Sequence, residues 1–248
     1  MIHIKTEREI VSMRVGGRLL AGIFDELEKD IHEGVVIVEL DKKVRNLIEE
    51  YGGSAAFLGY NGFPAAICAS LNDEVVHGIP DHRVLKNGDI LSIDIGLLYE
   101  GMYTDMARTI PIGSISDIDK KLINVTKTAL EKGIAAAREG SFVGDIGHAV
   151  QEYVEQNGFS VVRNYVGHGV GSSLHEDPQI PNFGKPKTGY KLTAGMTIAI
   201  EPMVNIGTWK VHVTNNNWTV ITNDNKKSAH FEHTILVTGK EAEIITAG

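Results

Sequence analysis

Apolar and polar positions follow a helical period at the start of the chain and an extended, strand-like pattern further on. After Thr6, an apolar side chain recurs about every three to four positions, and Thr6 with Glu9 forms a capping box. This pattern predicts a long helix that ends at Gly34. A second helix is predicted from about residue 40 to residue 51, with Gly52 directly behind it.

The same succession, helices followed by strands, then occurs a second time. Predicted strands in the first part of the chain are 66–71, 74–79, 89–98 and 102–112. Ser116 with Asp119 begins a helix that runs to about residue 138. Another helix is predicted over 144–156. The last predicted strands are 159–166, 196–205, 218–222 and 229–238.

Short motifs also recur between the two parts. The segment V-H-G-I-P at 76–80 resembles G-H-G-V-G at 167–171, and L-K-N-G-D-I-L-S-I-D at 85–94 resembles L-T-A-G-M-T-I-A-I-E at 192–201. The order histidine, acid, acid occurs as His77, Asp94, Asp105 and again as His168, Glu201, Glu232. We therefore expect an internal duplication with a pseudo-two-fold axis, within one domain over 1–248 whose halves are about 1–113 and 114–248.

Carboxylates lie inside apolar strand segments. By alternation Asp94 shares a strand face with Ser92, so a half-exposed strand would leave it harmlessly in water. Matching acids in both halves, however, favour a shared interior site, and four buried carboxylates require compensating cations. Two divalent ions with one imidazole would give the oxygen-rich shell of a dinuclear hydrolase. His168 is the natural imidazole, because Gly167 and Gly169 would let the backbone approach the metal.

Composition narrows the class of protein. The 248 residues carry a net charge of −8, which argues against a general nucleic-acid surface. The single cysteine, Cys68, excludes an internal disulfide and fits a reducing compartment. No apolar run approaches ~18 residues, and the N-terminal segment does not resemble a signal peptide, so we expect a cytoplasmic protein.

Other chemistries fit the motifs less well. The glycine-rich segment 167–171 lacks the strand and helix setting of a dinucleotide site, and Ser172 and Ser173 are not in a G-x-S-x-G elbow. From the residues alone, a dinuclear phosphoesterase would also fit the carboxylates, although no basic cluster surrounds them.

Several motifs together resemble a known family, the type I methionine aminopeptidases of bacterial style. The likeness covers almost the whole chain, and its most specific parts are N-D-E-V-V-H-G-I-P, D-I-G…T-D, G-H-G-V-G…L-H-E-D-P, I-E-P-M-V and F-E-H-T. The resemblance implies the pita-bread fold. This is an α/β (α+β) structure of two pseudo-symmetric halves, in which helices cover an antiparallel sheet around a central dinuclear metal site.

The resemblance also implies roles for individual residues. The implied metal ligands are Asp94, Asp105, His168, Glu201 and Glu232. Asp105 and Glu232 would bridge two divalent ions, which could be Mn, Fe, Co or Zn. Glu201 would also carry a proton during catalysis, and His77 and His175 would face the substrate without holding metal. A structural role for His175 is the alternative.

A methionine pocket is implied as well. Its candidate residues are Phe57, Tyr60, Phe63, Cys68, Leu174 and Trp218. Many bacterial relatives carry a small residue where Phe57 stands and an aromatic one where Leu174 stands, so the shape of this pocket is expected to differ. For Cys68 and Leu174, a role as plain core residues is the alternative.

The expected activity is removal of the N-terminal methionine from nascent proteins when the second residue is small. The expected partners are methionyl peptides and the ribosome, with no DNA and no membrane, and we expect a monomer. Two rivals share the fold. One is an Xaa-Pro aminopeptidase or prolidase, and the other is a non-catalytic pita-bread protein that binds partners.

Overall fold

A computed structural model describes residues 2–247, in which four α-helices and fifteen β-strands form. The helices are α1 (Glu7–Glu28), α2 (Ile37–Glu50), α3 (Asp117–Ala136) and α4 (Val143–Gln156). The strands are β1 (Ser54–Ala55), β2 (Ile67–Leu71), β3 (Glu74–Val76), β4 (Ile90–Tyr99), β5 (Met102–Pro111), β6 (Ser160–Val161), β7 (Gly167–Gly169), β8 (Glu176–Ile180), β9 (Thr197–Ile200), β10 (Met203–Asn205), β11 (Val211–Val213), β12 (Val220–Thr222), β13 (Ser228–His230), β14 (Glu232–Leu236) and β15 (Glu243–Ile244).

The first helix begins as predicted and ends earlier than predicted. The Thr6 side chain accepts a hydrogen bond from the backbone N–H of Glu9, and the Glu9 carboxylate accepts one from the backbone N–H of Thr6, which completes the capping box. The predicted end at Gly34 is wrong, because α1 stops at Glu28. Beyond it the Gly34 N–H donates to the Leu85 carbonyl, a bond to a distant loop that a continuing helix would not allow.

The main sheet is antiparallel and runs β1, β4, β5, β14, β9, β7, β8, while β2 also pairs with β4 and β15 with β14. Strands β4 and β5, of ten residues each, form a hairpin around Glu100 and Gly101. Both turn residues have positive φ, at 47° and 81°, which matches the twist of a tight hairpin. Strand β14 lies at the centre, where it pairs with β5 on one side and with β9 on the other.

Two predicted strands are each broken in the structure. The segment 196–205 divides at Glu201 and Pro202 into β9, which pairs with β14, and β10, which pairs with β13. The segment 229–238 divides at Phe231 in the same way. Proline has no N–H to donate to a strand partner, so the chain changes sheets at this point. Glu201 consequently lies at a sheet junction.

The core forms on the helical side of the sheet. Helices α1 and α2 bury Leu20, Phe24 and Leu40 against strand residues such as Ile93, and α3 and α4 bury Leu130 and Ile146 against Ile200 and Ile235. No helix within residues 2–247 is long and apolar enough to cross a membrane. The origin of the halves by duplication, and their boundary near residue 113, stay predictions.

Candidate metal centre and substrate pocket

Five neighbouring strands each bring one candidate ligand to the same region. Asp94 lies on β4, Asp105 on β5, Glu232 on β14 and His168 on β7, and Glu201 directly follows β9. These strands are consecutive in the sheet, in the order β4, β5, β14, β9, β7. The order of the strands, which is not the order of the sequence, therefore brings the five side chains together.

The donor atoms lie close enough to share cations. Those of Asp105, His168 and Glu232 are all within 4.8 Å of one another, and so are those of Glu201, Glu232 and His230. The Nε2 atom of His168 is 3.7 Å from Oε1 of Glu201. Asp94 lines the same cavity as these residues.

Electrostatics in this cluster favour the binding of cations. Burial, together with neighbouring carboxylates, raises the pKa of Asp94 and of Glu232 well above the usual range. Burial also raises the pKa of Asp105 to about 7 and that of Glu201 to about 8. Oδ1 of Asp94 and Oε1 of Glu232 are buried without a hydrogen-bond partner. Divalent metal ions would satisfy these oxygens and restore ionisation, so the donor set fits them.

His168 has the tautomer that a ligand needs. Its Nδ1 lies 2.8 Å from the Gly169 carbonyl, which can only accept, so Nδ1 carries the proton. Burial and the nearby His175 lower the pKa of His168 to about 3, so the ring is neutral and Nε2 has a free lone pair.

The glycines on either side of His168 have a packing role. A Cβ at residue 167 would lie 2.3 Å from the Ala199 carbonyl oxygen, and one at residue 169 would lie 2.3 Å from that of Asp177. Both glycines are therefore needed for close packing against neighbouring backbone, and the expectation that they let the backbone approach a metal stays a prediction.

The other two candidate histidines lie at the same cavity. His77 has a left-handed backbone with φ of 59°, and burial lowers its pKa to about 4. His175 accepts or donates a hydrogen bond of 2.8 Å through Nδ1 to the Tyr60 hydroxyl, and its ring centroid is 4.2 Å from that of His168. Burial lowers the pKa of His175 too. Both rings are thus held neutral beside the carboxylates.

A cavity of about 210 Å³ joins the polar centre to an apolar slot. All predicted pocket residues line it, namely Phe57, Tyr60, Phe63, Cys68, Leu174 and Trp218. Phe63 and Trp218 pack edge to face with centroids 5.1 Å apart. A Cβ at Gly96 would lie 2.6 Å from the Phe57 ring, so this glycine admits the ring beside Asp94. Desolvation on burial, and then the nearby carboxylates, raise the pKa of the Cys68 thiol, so the thiol stays protonated.

Sequence reasoning missed two residues of the site. Asn61 lines the cavity from a left-handed position in a short turn, with φ of 48°. His230 is 2% exposed, and its Nε2 lies 3.6 Å from Oε2 of Glu201. The sequence did contain a signal for His230. Residues two positions apart on an extended chain point to the same face, and His230 lies two positions before Glu232.

Known proteins match this chain over most of its length. A family model for metallopeptidase family M24 matches residues 11–239. Methionine aminopeptidase 1 of Bacillus subtilis is 52% identical over 246 residues, which cover 99% of both chains. The crystal structure of methionine aminopeptidase from Thermotoga maritima has a TM-score of 0.98 and 46% identity, with complete coverage of both chains.

The rival enzymes share the fold at lower similarity. A prolidase from Pyrococcus furiosus has a TM-score of 0.78 at 22% identity, and the match covers 99% of this chain but 65% of that one. This likeness concerns the fold alone. The pita-bread prediction is confirmed by these structures, and the high-identity relatives favour the aminopeptidase over the prolidase. This chain belongs to metallopeptidase family M24 and, within it, to the methionine aminopeptidases.

Proposed function

We propose that this protein is a metal-dependent aminopeptidase that removes the N-terminal methionine from nascent proteins whose second residue is small. One observation carries the proposal: an apolar slot opens directly onto the five converging side chains of Asp94, Asp105, His168, Glu201 and Glu232. A slot of this kind suits the methionine side chain, and the donor cluster suits hydrolysis of the adjacent peptide bond.

The proposed metal ligands are Asp94, Asp105, His168, Glu201 and Glu232. These residues would hold two divalent cations, because four carboxylates balance two double charges, and the carboxylates of Asp105 and Glu232 would be shared between the two ions. Mn, Fe, Co and Zn all accept this shell. Bound divalent ions supply Lewis acidity, which polarises a carbonyl group and acidifies water.

The chain's own residues then handle the protons and the developing charge. Glu201 takes a proton from the attacking water and delivers it to the nitrogen of the leaving peptide as the C–N bond breaks. With cations bound, the Glu201 carboxylate would be ionised and able to accept that proton, although burial alone raises its pKa to about 8. His77 and His175, both neutral, donate hydrogen bonds to the oxygen of the scissile carbonyl as negative charge develops there.

The pocket explains restriction to N-termini. Phe57, Phe63, Leu174 and Trp218 line the cavity together with the carboxylates. The methionine side chain would lie among the four apolar residues, with its free α-amine near the carboxylates. A blocked amine loses that attraction and adds bulk. An acetylated peptide should therefore fail to bind productively.

The proposal extends to the location, assembly state and partners of the enzyme. We place the enzyme in the cytoplasm, as a monomer of one catalytic domain that acts on chains emerging from the ribosome, without DNA or membrane partners.

Peptide hydrolysis tests the proposal against its rivals. We expect release of methionine from Met-Ala-Ser and no cleavage of acetyl-Met-Ala-Ser. Faster cleavage of Ala-Pro-Ser than of Met-Ala-Ser would favour an Xaa-Pro aminopeptidase. Binding of Met-Ala-Ser without hydrolysis at any metal loading would favour a non-catalytic binding protein.

A further inference from the structure

His230 is a buried imidazole with no role in the mechanism so far. It ends β13, and its backbone is fixed at both polar groups, because Thr109 Oγ1 accepts from its N–H and donates to its carbonyl, each at 2.8 Å. Its Nε2 is buried without a hydrogen-bond partner. This atom is 3.6 Å from Oε2 of Glu201 and 3.8 Å from Oε2 of Glu232. A buried polar atom of this kind calls for a functional explanation.

The Glu201 carboxylate lacks a hydrogen-bond donor among the residues that the structure describes. Within residues 2–247 no N–H or O–H group makes a hydrogen bond to either of its oxygens. Two imidazoles flank it: His168 on the side of Oε1 and His230 on the side of Oε2. Since His168 donates from Nδ1 to the Gly169 carbonyl, its Nε2 has no proton to offer. His230 is the flanking ring that can supply one.

We propose that His230 is a positioning residue for Glu201, an inference that rests on the proposed role of Glu201. In the tautomer protonated at Nε2, His230 donates to Oε2 of Glu201 and holds Oε1 towards His168 and the metal. An approach of about half an ångström brings the two atoms into hydrogen-bonding range. Carboxylates that ligate metals are themselves held by such outer hydrogen bonds, and loss of one costs about 10–100-fold in metal affinity or activity.

The competing role for His230 is direct ligation. A single ion held by Nε2 and by the two Oε2 atoms would also place them a few ångströms apart. The two roles differ in chemistry: positioning requires a proton on Nε2, whereas ligation requires a lone pair there.

Two substitutions separate these roles. H230Q keeps an N–H donor of similar reach but is a weak ligand for divalent ions, and H230M fills the space without a donor. We expect H230Q to stay within about threefold of the parent in Mn²⁺ affinity, measured by titration calorimetry on chelated protein, and in kcat for Met-Ala-Ser. We expect H230M to lose about 10-fold or more in both quantities with KM little changed.

Any other result for these two variants would overturn the proposal. Loss of an Mn²⁺ equivalent in H230Q would make His230 a ligand. Parental affinity and kcat in H230M, with only a lower Tm, would make it a packing residue. If H230M does not fold, H230Q decides alone, because a 10-fold or greater loss in that variant contradicts positioning. The affinity measurement needs no turnover, so it remains decisive even if the parent protein fails to cleave Met-Ala-Ser and the proposed function falls.

Discussion

The hydroxyl of Tyr60 lies 2.8 Å from Nδ1 of His175, and this hydrogen bond joins residues 115 positions apart at the substrate cavity. When the phenol donates, Nδ1 accepts and Nε2 carries the ring proton. His175 can then donate from Nε2 to a substrate oxygen. The hydrogen bond thus connects Tyr60, a residue of the pocket wall, to His175, the proposed oxyanion donor.

Replacement of His175 tests its role as an oxyanion donor. We expect H175A to lower kcat by roughly 10²–10³ while the bound metal is retained. Y60F should lower kcat less, because the ring of His175 stays in place without its partner. H82A is the matched control, since His82 is exposed and away from the cavity. Collapse of metal affinity in H175A would make His175 a ligand instead.

The two carboxylates proposed to bridge the cations, Asp105 and Glu232, should be indispensable. We expect D105A and E232A each to abolish activity and to lower metal content, because each removes a negative charge that two cations share. E49A changes an exposed acid on α2 and should leave both quantities unchanged. Metal content is measured by atomic emission after dialysis. Full activity with parental metal content in either bridging variant would exclude a dinuclear centre with these ligands.

The second residue of the substrate should be small. In the proposed mode of binding, His77 and His175 would lie over the position of this residue. Both rings are restrained, because His77 has a strained backbone and His175 forms a hydrogen bond with Tyr60. Excluding a side chain from so rigid a site can exceed the ~1–3 kcal/mol that a favourable methylene contact supplies. In a Met-X-Ser series, Gly, Ala, Ser and Pro should give high kcat/KM, and Lys, Glu and Leu low values. Equal rates for Met-Lys-Ser and Met-Ala-Ser would contradict steric selection.

An ion pair beneath the His175 loop should make stability depend on acid pH. The Lys5 side chain is only 1% exposed, and its ammonium contacts the Glu176 carboxylate, which also accepts hydrogen bonds from Ser172 Oγ and from the Ser173 N–H. Burial alone would raise the pKa of Glu176, but these donors outweigh it and hold the pKa below its usual value.

The sign of the pH effect follows from that depressed pKa. The contribution of Glu176 is fully present above its unfolded pKa of about 4.3 and is lost as pH falls through the lower folded value. Urea unfolding of E176Q should therefore show a deficit at pH 7 that shrinks below about pH 4. E49Q should show no such deficit. A deficit of constant size across this range would mean that ionisation of Glu176 adds nothing.

Much of this site could be predicted from local sequence, because acids in apolar strands conflict with simple burial. Asp94 and Glu201 stood out for that reason, and the structure brings both to one cavity with Asp105, Glu232 and His168. The sheet order could not be predicted, since it depends on the pairing of β14 with the sequence-distant β5, where Glu232 lies opposite Ala107, and with β9. His230 was missed because its significance depends on Glu201, which only the fold places beside it.

Metal dependence of methionine release tests the central claim most directly. The protein would be stripped with a chelator, and Mn, Fe, Co and Zn added back one at a time during hydrolysis of Met-Ala-Ser. We expect no release from the stripped protein and restoration by at least one of these ions, with activity reaching its maximum at about two equivalents per chain. Undiminished methionine release by the stripped protein, or failure of every ion to restore it, would contradict the account.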